Sequence, residues 1–574
     1  MSDDVLAVAE AWLAEDPDPE TRAELSAALA RTRAGDPTAI ADLADRFAGP
    51  LEFGTAGLRG VLGCGPNRMN RVVVRKVTAG LADYLLAHAE DPGRPVVIGH
   101  DARKNSRVFA EDAARILVGR GLTVQLAHRP WPTPVTGWLS ERGCAGIMVT
   151  ASHNPPEYNG YKVYWSNGAQ IVPPHDTGIA AAIARVGRSD QLAMPELAVA
   201  RATGALVDLD ETVHDAYVAA VQPLRTTGRP GTKLVVAYTP LHGVGAASVE
   251  PVFAAAGVGP LHVVASQRDP DPAFPTVAFP NPEEKGAMDA VLKLAADVGA
   301  ELVLANDPDA DRLCVAVPDG DRYRVLSGDQ IGALLADYLL ETTPPGRRLV
   351  ATTIVSSQLL RYLAAAAGAD YRETLTGFKW IGNAAIQWSR DGGADPGRFI
   401  MGYEEALGYT VGELVRDKDG VSGALILADI AAWNRGQGRT MLDHLADVYR
   451  RVGLFVTEQV SWNLPGAAGL ATIRAAMARF RASPPTALAG LAVTEVVDLA
   501  LGTGGLPKSD VLVFRLAGGQ RVIMRPSGTE PKLKSYYEVR VTVGADEPLP
   551  AARDRGLAEL ATLRDAHQAV LKAL

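Results

Sequence analysis

The chain has 574 residues, of which 47% are apolar and 21% charged, and its 66 Asp and Glu outweigh 57 Lys and Arg for a formal net charge of −9. That length exceeds what one hydrophobic core supports and divides into about three to five domains. The acidic balance excludes nucleic acid or an anionic membrane as the main partner, since both need a basic field, and leaves room for a phosphorylated small molecule held by local positive charge. Three separated cysteines, Cys64, Cys144 and Cys314, form no CxxC pair and point to neither a disulfide framework nor a zinc site. The acidic start MSDDVLAVAEAWLAEDPDPE lacks the basic region of a signal peptide, and no apolar run of about 18 residues is present, so the expected location is the cytoplasm.

In chain order, residues 1–45 form a helical N-terminal extension: Leu6, Ala9, Trp12 and Leu13 have helical spacing, and DPDPE separates a second stretch at Thr21–Thr32. Residues 46–212 alternate apolar strands (Pro95–Gly99, Leu122–Ala127, Ala145–Thr150) with helices (Val108–Gly121, Pro134–Arg142). Residues 213–326 restart the alternation with strands at Lys233–Tyr238 and Leu302–Asn306, helices near Gly245–Ala256 and Glu283–Val298, and a hairpin turning at Asp319-Gly320. A third round fills 327–455: a helix from Asp329, strand Arg348–Val355, helix Gln358–Ala367, strand Arg398–Gly402 and helix Val421–Trp433. Residues 456–574 change character, with helix Ala467–Ala482, several strands and a helix from Leu549. The fold class is α/β: three similar mixed-sheet domains followed by a smaller C-terminal α+β domain.

Four loops carry the chemistry. TASHNPPEYNGYKVY, Thr150 to Tyr164, follows an apolar strand, where ligands bind in such sheets. Ser152 there is a candidate nucleophile with His153 beside it and Lys162 downstream. No GxSxG surrounds it, so it is not a hydrolase elbow, and the bland alternative is a polar turn. NDPDADR, Asn306 to Arg312, sets Asp307, Asp309 and Asp311 at alternate positions, and three carboxylates so close call for a cation. A calcium loop of the D-x-D-x-D type needs Gly sixth and Glu twelfth; Arg312 and Pro318 stand there, which excludes it. Three oxygens with positions left open suit magnesium at a phosphoryl-transfer site. GYEEALGY, Gly402 to Tyr409, pairs Glu404 and Glu405, which can accept hydrogen bonds from vicinal sugar hydroxyls or form an exposed structural pair, and TGFKWIG places Lys379, a candidate cation, three residues after Thr376. RPSGTEPKLKSY, Arg525 to Tyr536, offers the Arg525 fork and a small nest at Ser527, Gly528 and Thr529 for a phosphate.

A nucleophile, a metal site, hydroxyl acceptors and a phosphate clamp are the parts for phosphoryl transfer on a phosphorylated polyol. With these motifs in this order the chain resembles the α-D-phosphohexomutase superfamily of phosphoglucomutases and phosphomannomutases. It is most similar to the branch that opens with FGTAGLRG, here Phe53 to Gly60, which also includes phosphopentomutase-like members. The resemblance implies four domains around a central cleft, Ser152 as phosphoserine, and magnesium on Asp307, Asp309, Asp311 and the phosphoserine oxygen. It implies Arg59 and Arg312 as charge stabilisers, Lys162 and Lys379 in acid–base or electrostatic roles, and His153 as support for the serine loop. Thr376, Gly377, Glu404 and Glu405 would face the sugar, and Arg525, Ser527, Gly528 and Thr529 would hold the non-reacting phosphate. The implied reaction interconverts sugar 1-phosphate and 6-phosphate through a bisphosphate, with glucose 1,6-bisphosphate (or the matching sugar bisphosphate) as activator. Where phosphoglucomutases commonly read GEESFG this chain reads YEEALG, placing Ala406 at a hydroxyl position, and Pro308 and Ala310 replace common glycines. Glu404-Glu405 favours glucose over the mannose enzymes' GEMSGH-like loop. Mannose or pentose phosphates on the same machinery, a silent sugar-phosphate-binding paralogue and a serine phosphatase are the alternatives.

Overall fold

A computed structural model describes residues 3–52, 57–228, 232–464, 466–502, 505–527 and 532–573. The chain forms two compact bodies, one of residues 1–326 with 407–433 and one of residues 327–406 with 434–574. The parallel strands of the first three sheets come from strand–loop–helix alternation, as short buried apolar strands require.

The first body opens with helices Asp3–Glu15, Pro19–Arg33 and Pro37–Arg46. Asp18 and Asp36 cap the second and third, each followed by proline at the first helical position. Ala9, Trp12, Leu25, Leu29 and Leu43 are buried in one core with Val72, Val74 and Leu81 of helix Arg71–His88, so this extension is part of the first domain's core. The sheet beside it runs Leu58–Val61, Tyr158–Trp165, Ala145–Val149, Val96–His100, Val124–Ala127, Leu206–Leu209. Its last four strands are parallel and Tyr158–Trp165 is antiparallel to both neighbours. A second sheet runs Arg322–Val325, Cys314–Asp319, Leu302–Ala305, Lys233–Thr239, Gly259–Val263, with its first three strands antiparallel in sequence.

The second body holds parallel strands Asp370–Thr374, Arg348–Thr353 and Arg398–Glu404 in that spatial order. Its other sheet is antiparallel throughout: Leu454–Asn463, Lys532–Val541, Arg521–Pro526, Leu512–Leu516, Leu491–Asp498, Ala487–Leu488. Helices Gly466–Ala482 and Leu549–Lys572 contribute Ile473, Met477, Phe480, Leu560 and Leu563 to its core. A shared apolar cluster of Ile354, Val355, Leu375, Val511, Val513, Ile523 and Tyr536 joins the two sheets of this body.

Helices Arg71–His88 and Phe378–Asp391 have no counterpart in the sequence expectation, and two expected elements differ from it. The helix expected over Glu283–Val298 spans only Asp289–Val298, because Gly286 takes φ +90°, outside the helical basin. The stretch expected as a loop to Tyr164 becomes a strand from Tyr158, in which Asn159, Gly160 and Lys162 are all buried. Buried polar residues hid the strand: its usual alternation is absent because both faces are covered.

His567 is fully buried on the last helix, its Nδ1 2.8 Å from the Tyr537 hydroxyl, and burial lowers its pKa to about 4. Between roughly pH 6.5 and 4 the unfolded chain therefore takes up a proton that the folded chain refuses, and stability falls with pH over that window. Urea denaturation followed through the second body is expected to show about 1–2 kcal/mol less stability at pH 5 than at pH 7 from this residue. His567→Gln should flatten the profile; parallel profiles for the two proteins would contradict the assignment.

Candidate active site

In the first body the chemistry gathers at the carboxyl ends of parallel strands. Ser152 lies just beyond Ala145–Val149, and the aspartate loop lies just beyond Leu302–Ala305. Ser152 is 2% exposed and takes φ +52°, a left-handed turn that costs a non-glycine residue about 1–2 kcal/mol. The turn is held from several sides. Ser152 N–H donates to Thr150 Oγ1 at 2.9 Å, and Arg103 donates to the Ser152 carbonyl at 2.6 Å, to the Asn154 carbonyl, and to that of Pro155 at 2.8 Å. Arg59, on strand Leu58–Val61, donates to Asn154 Oδ1 at 2.6 Å.

The Ser152 hydroxyl donates to Asp307 Oδ2 at 2.6 Å and lies 3.2 Å from His153 Nδ1. Asp307, Asp309 and Asp311 are at most 1% exposed, and each offers an oxygen within 4.8 Å of the others. Lys162 Nζ sits 2.8 Å from both Asp309 Oδ2 and Asp311 Oδ2. Thr133 donates its hydroxyl to Asp309 Oδ2 at 2.6 Å and its N–H to the Asp309 carbonyl at 2.9 Å. Lys418 Nζ is 3.2 Å from Asp311 Oδ2.

The loop's shape is fixed by its neighbours. Ala310 has φ +54°, a conformation glycine adopts freely, which accounts for the glycines common at this position. Arg312 N–H donates to Asp307 Oδ1 at 3.0 Å, and Asn306 ties the loop shut by donating to the Arg312 carbonyl at 2.6 Å. Gly420 packs so closely that a Cβ there would lie 2.3 Å from the Arg312 carbonyl and 2.5 Å from Asn306 Nδ2.

Charge follows burial and neighbours. Burial and the two adjacent carboxylates push Asp307 well above the usual carboxylate range. Burial also opposes charge on Asp309 and Asp311, yet Lys162 outweighs it and holds both below their ordinary values, with Thr133 aiding Asp309 and Lys418 aiding Asp311. Burial and the neighbouring Arg312 and Arg59 drive His153 well below its ordinary value. Arg59 itself is lowered to about 10 by burial and by Arg312. A cationic rim thus surrounds an anionic floor, which suits a phosphoryl dianion resting above a divalent ion.

The donor set fits such an ion. All the oxygens are hard carboxylates, and Asp309 Oδ1 and Asp311 Oδ1 are buried with no hydrogen-bond partner among the described residues.

In the second body, Glu404 ends strand Arg398–Glu404, and its Oε1 accepts from Gly377 N–H at 2.8 Å. Gly377, at φ +114°, caps helix Phe378–Asp391, so Lys379 stands in that helix's first turn, its Nζ 5.5 Å from the centre of the Trp380 ring. Thr376 Oγ1 is buried with no hydrogen-bond partner among the described residues. Glu405 Oε2 accepts from Ser356 Oγ at 2.8 Å. Arg525 pairs across the ladder with Lys534, and Ser527 N–H donates to the Lys532 carbonyl at 2.8 Å. Gly528 and Thr529 lie outside the described residues.

Thr133, Arg103 and Lys418 were not singled out from the sequence. Arg103 sits in DARKNSR directly after a buried strand, a position that could have flagged it; Thr133 and Lys418 become visible only through their contacts.

Fold and site together define an enzyme that transfers phosphoryl groups within a phosphosugar. Four family models match in chain order: phosphoglucomutase/phosphomannomutase alpha/beta/alpha domains I, II and III at residues 50–189, 215–320 and 327–452, and the C-terminal domain at 473–551. The chain belongs to the phosphoglucomutase/phosphomannomutase family, within the α-D-phosphohexomutase superfamily, and is a phosphosugar mutase. It is 41% identical over 498 residues to a Haemophilus influenzae protein described as "Probable phosphomannomutase", covering 86% of this chain and 96% of that one. It is 35% identical over 544 residues to mouse phosphopentomutase (88% and 86% covered) and 35% identical over 504 residues to a Staphylococcus epidermidis phosphoglucomutase (85% and 90% covered). Its fold matches a Burkholderia thailandensis phosphoglucomutase/phosphomannomutase family structure at TM-score 0.66, with 20% identity over 90% of this chain and 96% of that one. Among the described residues no helix is long and apolar enough to cross a membrane.

Lys162→Met is expected to lower stability in chelator by about 3 kcal/mol, because it leaves buried Asp309 and Asp311 short of their cation. Magnesium should then raise the variant's melting temperature more than the wild type's. Equal stability in chelator would contradict the ion-pair assignment.

Proposed function

We propose that the protein interconverts sugar 1-phosphates and sugar 6-phosphates, with glucose phosphates preferred, through phosphorylated Ser152. The observation that carries this reading is the Ser152 hydroxyl, 2.6 Å from buried Asp307, whose loop also carries Asp309 and Asp311. Asp307, Asp309, Asp311 and an oxygen of phosphoserine 152 would hold magnesium, which when bound neutralises charge on the transferring phosphoryl.

The chain's own residues supply the rest. Asp307 Oδ2 already accepts the Ser152 proton, so it is placed to take that proton when the serine is phosphorylated. Lys162, whose pKa stays above its ordinary value because two aspartates outweigh its burial, remains an ammonium and acts electrostatically. Arg59 and Arg312 stabilise the phosphoryl oxygens, and His153 supports the serine turn. Transfer from phosphoserine to the free sugar hydroxyl breaks the serine O–P bond and forms the sugar O–P bond, the proton lost by the sugar hydroxyl being matched by one gained at the serine oxygen, giving a bisphosphate. The reverse transfer from the other position regenerates phosphoserine, so dephosphorylated enzyme needs a bisphosphate such as glucose 1,6-bisphosphate as activator. Thr376, Gly377, Glu404 and Glu405 would contact the sugar, with Lys379 beside them. Arg525, Ser527, Gly528 and Thr529 would hold the non-reacting phosphate. This chemistry belongs in the cytoplasm.

Support for glucose comes from the paired Glu404 and Glu405, both already oriented by hydrogen bonds, and from the Thr376 hydroxyl, which is next in sequence to Gly377 and has no hydrogen-bond partner among the described residues. Pentose phosphate is the second reading, favoured by Ala406, which offers no hydroxyl, and by likeness to mouse phosphopentomutase.

The test is turnover of glucose 1-phosphate with magnesium and a trace of glucose 1,6-bisphosphate, beside mannose 1-phosphate and ribose 1-phosphate. Glucose should give the highest kcat/KM, and Ser152→Ala should lower kcat by about 10⁴-fold or more. Ribose ranking first would replace the glucose reading, and an active Ser152→Ala would remove the phosphoserine.

A further inference from the structure

The loop Ile354 to Gln358, at the carboxyl end of strand Arg348–Thr353, has a role the family match does not supply. It is clamped by two charged side chains of the antiparallel sheet in the same body. Arg521, 3% exposed on strand Arg521–Pro526, donates Nη1 to the Ile354 carbonyl at 2.9 Å and Nη2 to the Ser356 carbonyl at 2.6 Å. Glu538, 2% exposed on strand Lys532–Val541, accepts from Gln358 N–H at 2.9 Å and from Gln358 Nε2 at 2.8 Å. The two clamp residues pair with each other at 3.2 Å, and Arg521 also reaches Glu373 Oε1 at 3.2 Å. Burying an arginine and a glutamate is unfavourable unless geometry and extra hydrogen bonds compensate. Here part of the compensation comes from one loop, so a shift of that loop would cost Arg521 its bonds to two backbone carbonyls and Glu538 its two bonds to Gln358.

That loop carries Ser356. Its hydroxyl donates to Glu405 Oε2 at 2.8 Å, accepts from Glu405 N–H at 3.1 Å and lies 2.8 Å from Thr353 Oγ1. Ser356 therefore grips Glu405 at both backbone and carboxylate. The strand that supplies Arg521 also supplies Arg525, four residues on and hence on the same face. Resting on the reading of Glu405 as a sugar contact and Arg525 as a phosphate contact, we propose that Ser356 is the positioning residue for Glu405. Arg521 and Glu538 fix its height, so that one strand sets the phosphate contact and the sugar contact in mutual register.

The experiment is a double-mutant cycle on kcat/KM for glucose 1-phosphate and ribose 1-phosphate, using Ser356→Ala, Glu405→Ala and the pair, with Ser356→Thr and Arg521→Met alongside. Loss of a hydrogen bond to a carboxylate predicts about a 10-fold fall for Ser356→Ala. The fall should be larger for glucose than for ribose, the pair should be no worse than Glu405→Ala alone, and Ser356→Thr should recover most of the activity. Arg521→Met should reproduce the change in sugar ratio, with its melting temperature measured separately. Additive losses, or a lowered melting temperature with an unchanged glucose-to-ribose ratio in Ser356→Ala, would overturn the positioning role. An unaffected Glu405→Ala would instead overturn the sugar-loop reading, and this inference with it.

Discussion

Three carboxylates buried within one another's reach are the constraint on which the first body depends. Without cations they could not stay ionised, and burial alone would protonate them. Lys162 resolves most of the conflict by bridging Asp309 and Asp311, and Asp307 is left as the carboxylate that meets the Ser152 hydroxyl. Much of the surrounding architecture serves this arrangement. The antiparallel strand Tyr158–Trp165 brings Lys162 back beneath the aspartates, Thr133 pins Asp309 through both backbone and side chain, and Gly420 lets residues 417–420 close over the loop.

Strain and support are matched at Ser152. Ser152 and Ala310 both occupy left-handed backbone that their side chains disfavour. Each is over-determined by neighbours, Ser152 by Arg103 and Thr150, and Ala310 by turn hydrogen bonds to Asp307 and Gly420. The second body solves a related problem by different means. There Glu404 and Glu405 are oriented by Gly377 and Ser356, and a buried Arg521–Glu538 pair holds the supporting loop.

Much of this was legible in the sequence because phosphoryl transfer demands residue types in fixed local order. Ser152 after an apolar strand and alternate aspartates after another are one-dimensional patterns, and the α/β alternation around them is another. What escaped was three-dimensional. Lys162 falls in a stretch expected as a loop because Asn159, Gly160 and Lys162 interrupt its apolar residues, although all three are buried. Thr133, Arg103 and Lys418 come from segments with no motif of their own, and the Ser356 contact joins residues about fifty positions apart. The late start of the helix expected from Glu283 turns on a single glycine, Gly286, whose φ cannot be read from the chain.

The most direct test of the central claim follows the phosphoryl group itself. The enzyme is loaded with radiolabelled glucose 1,6-bisphosphate in magnesium, the labelled peptide is mapped, and the loaded enzyme is chased with unlabelled glucose 1-phosphate. The account predicts label on Ser152 that passes to the added sugar phosphate, and little loading when Asp309→Asn weakens the carboxylate floor. Label on another residue, or its release as inorganic phosphate in place of transfer to sugar, would contradict it.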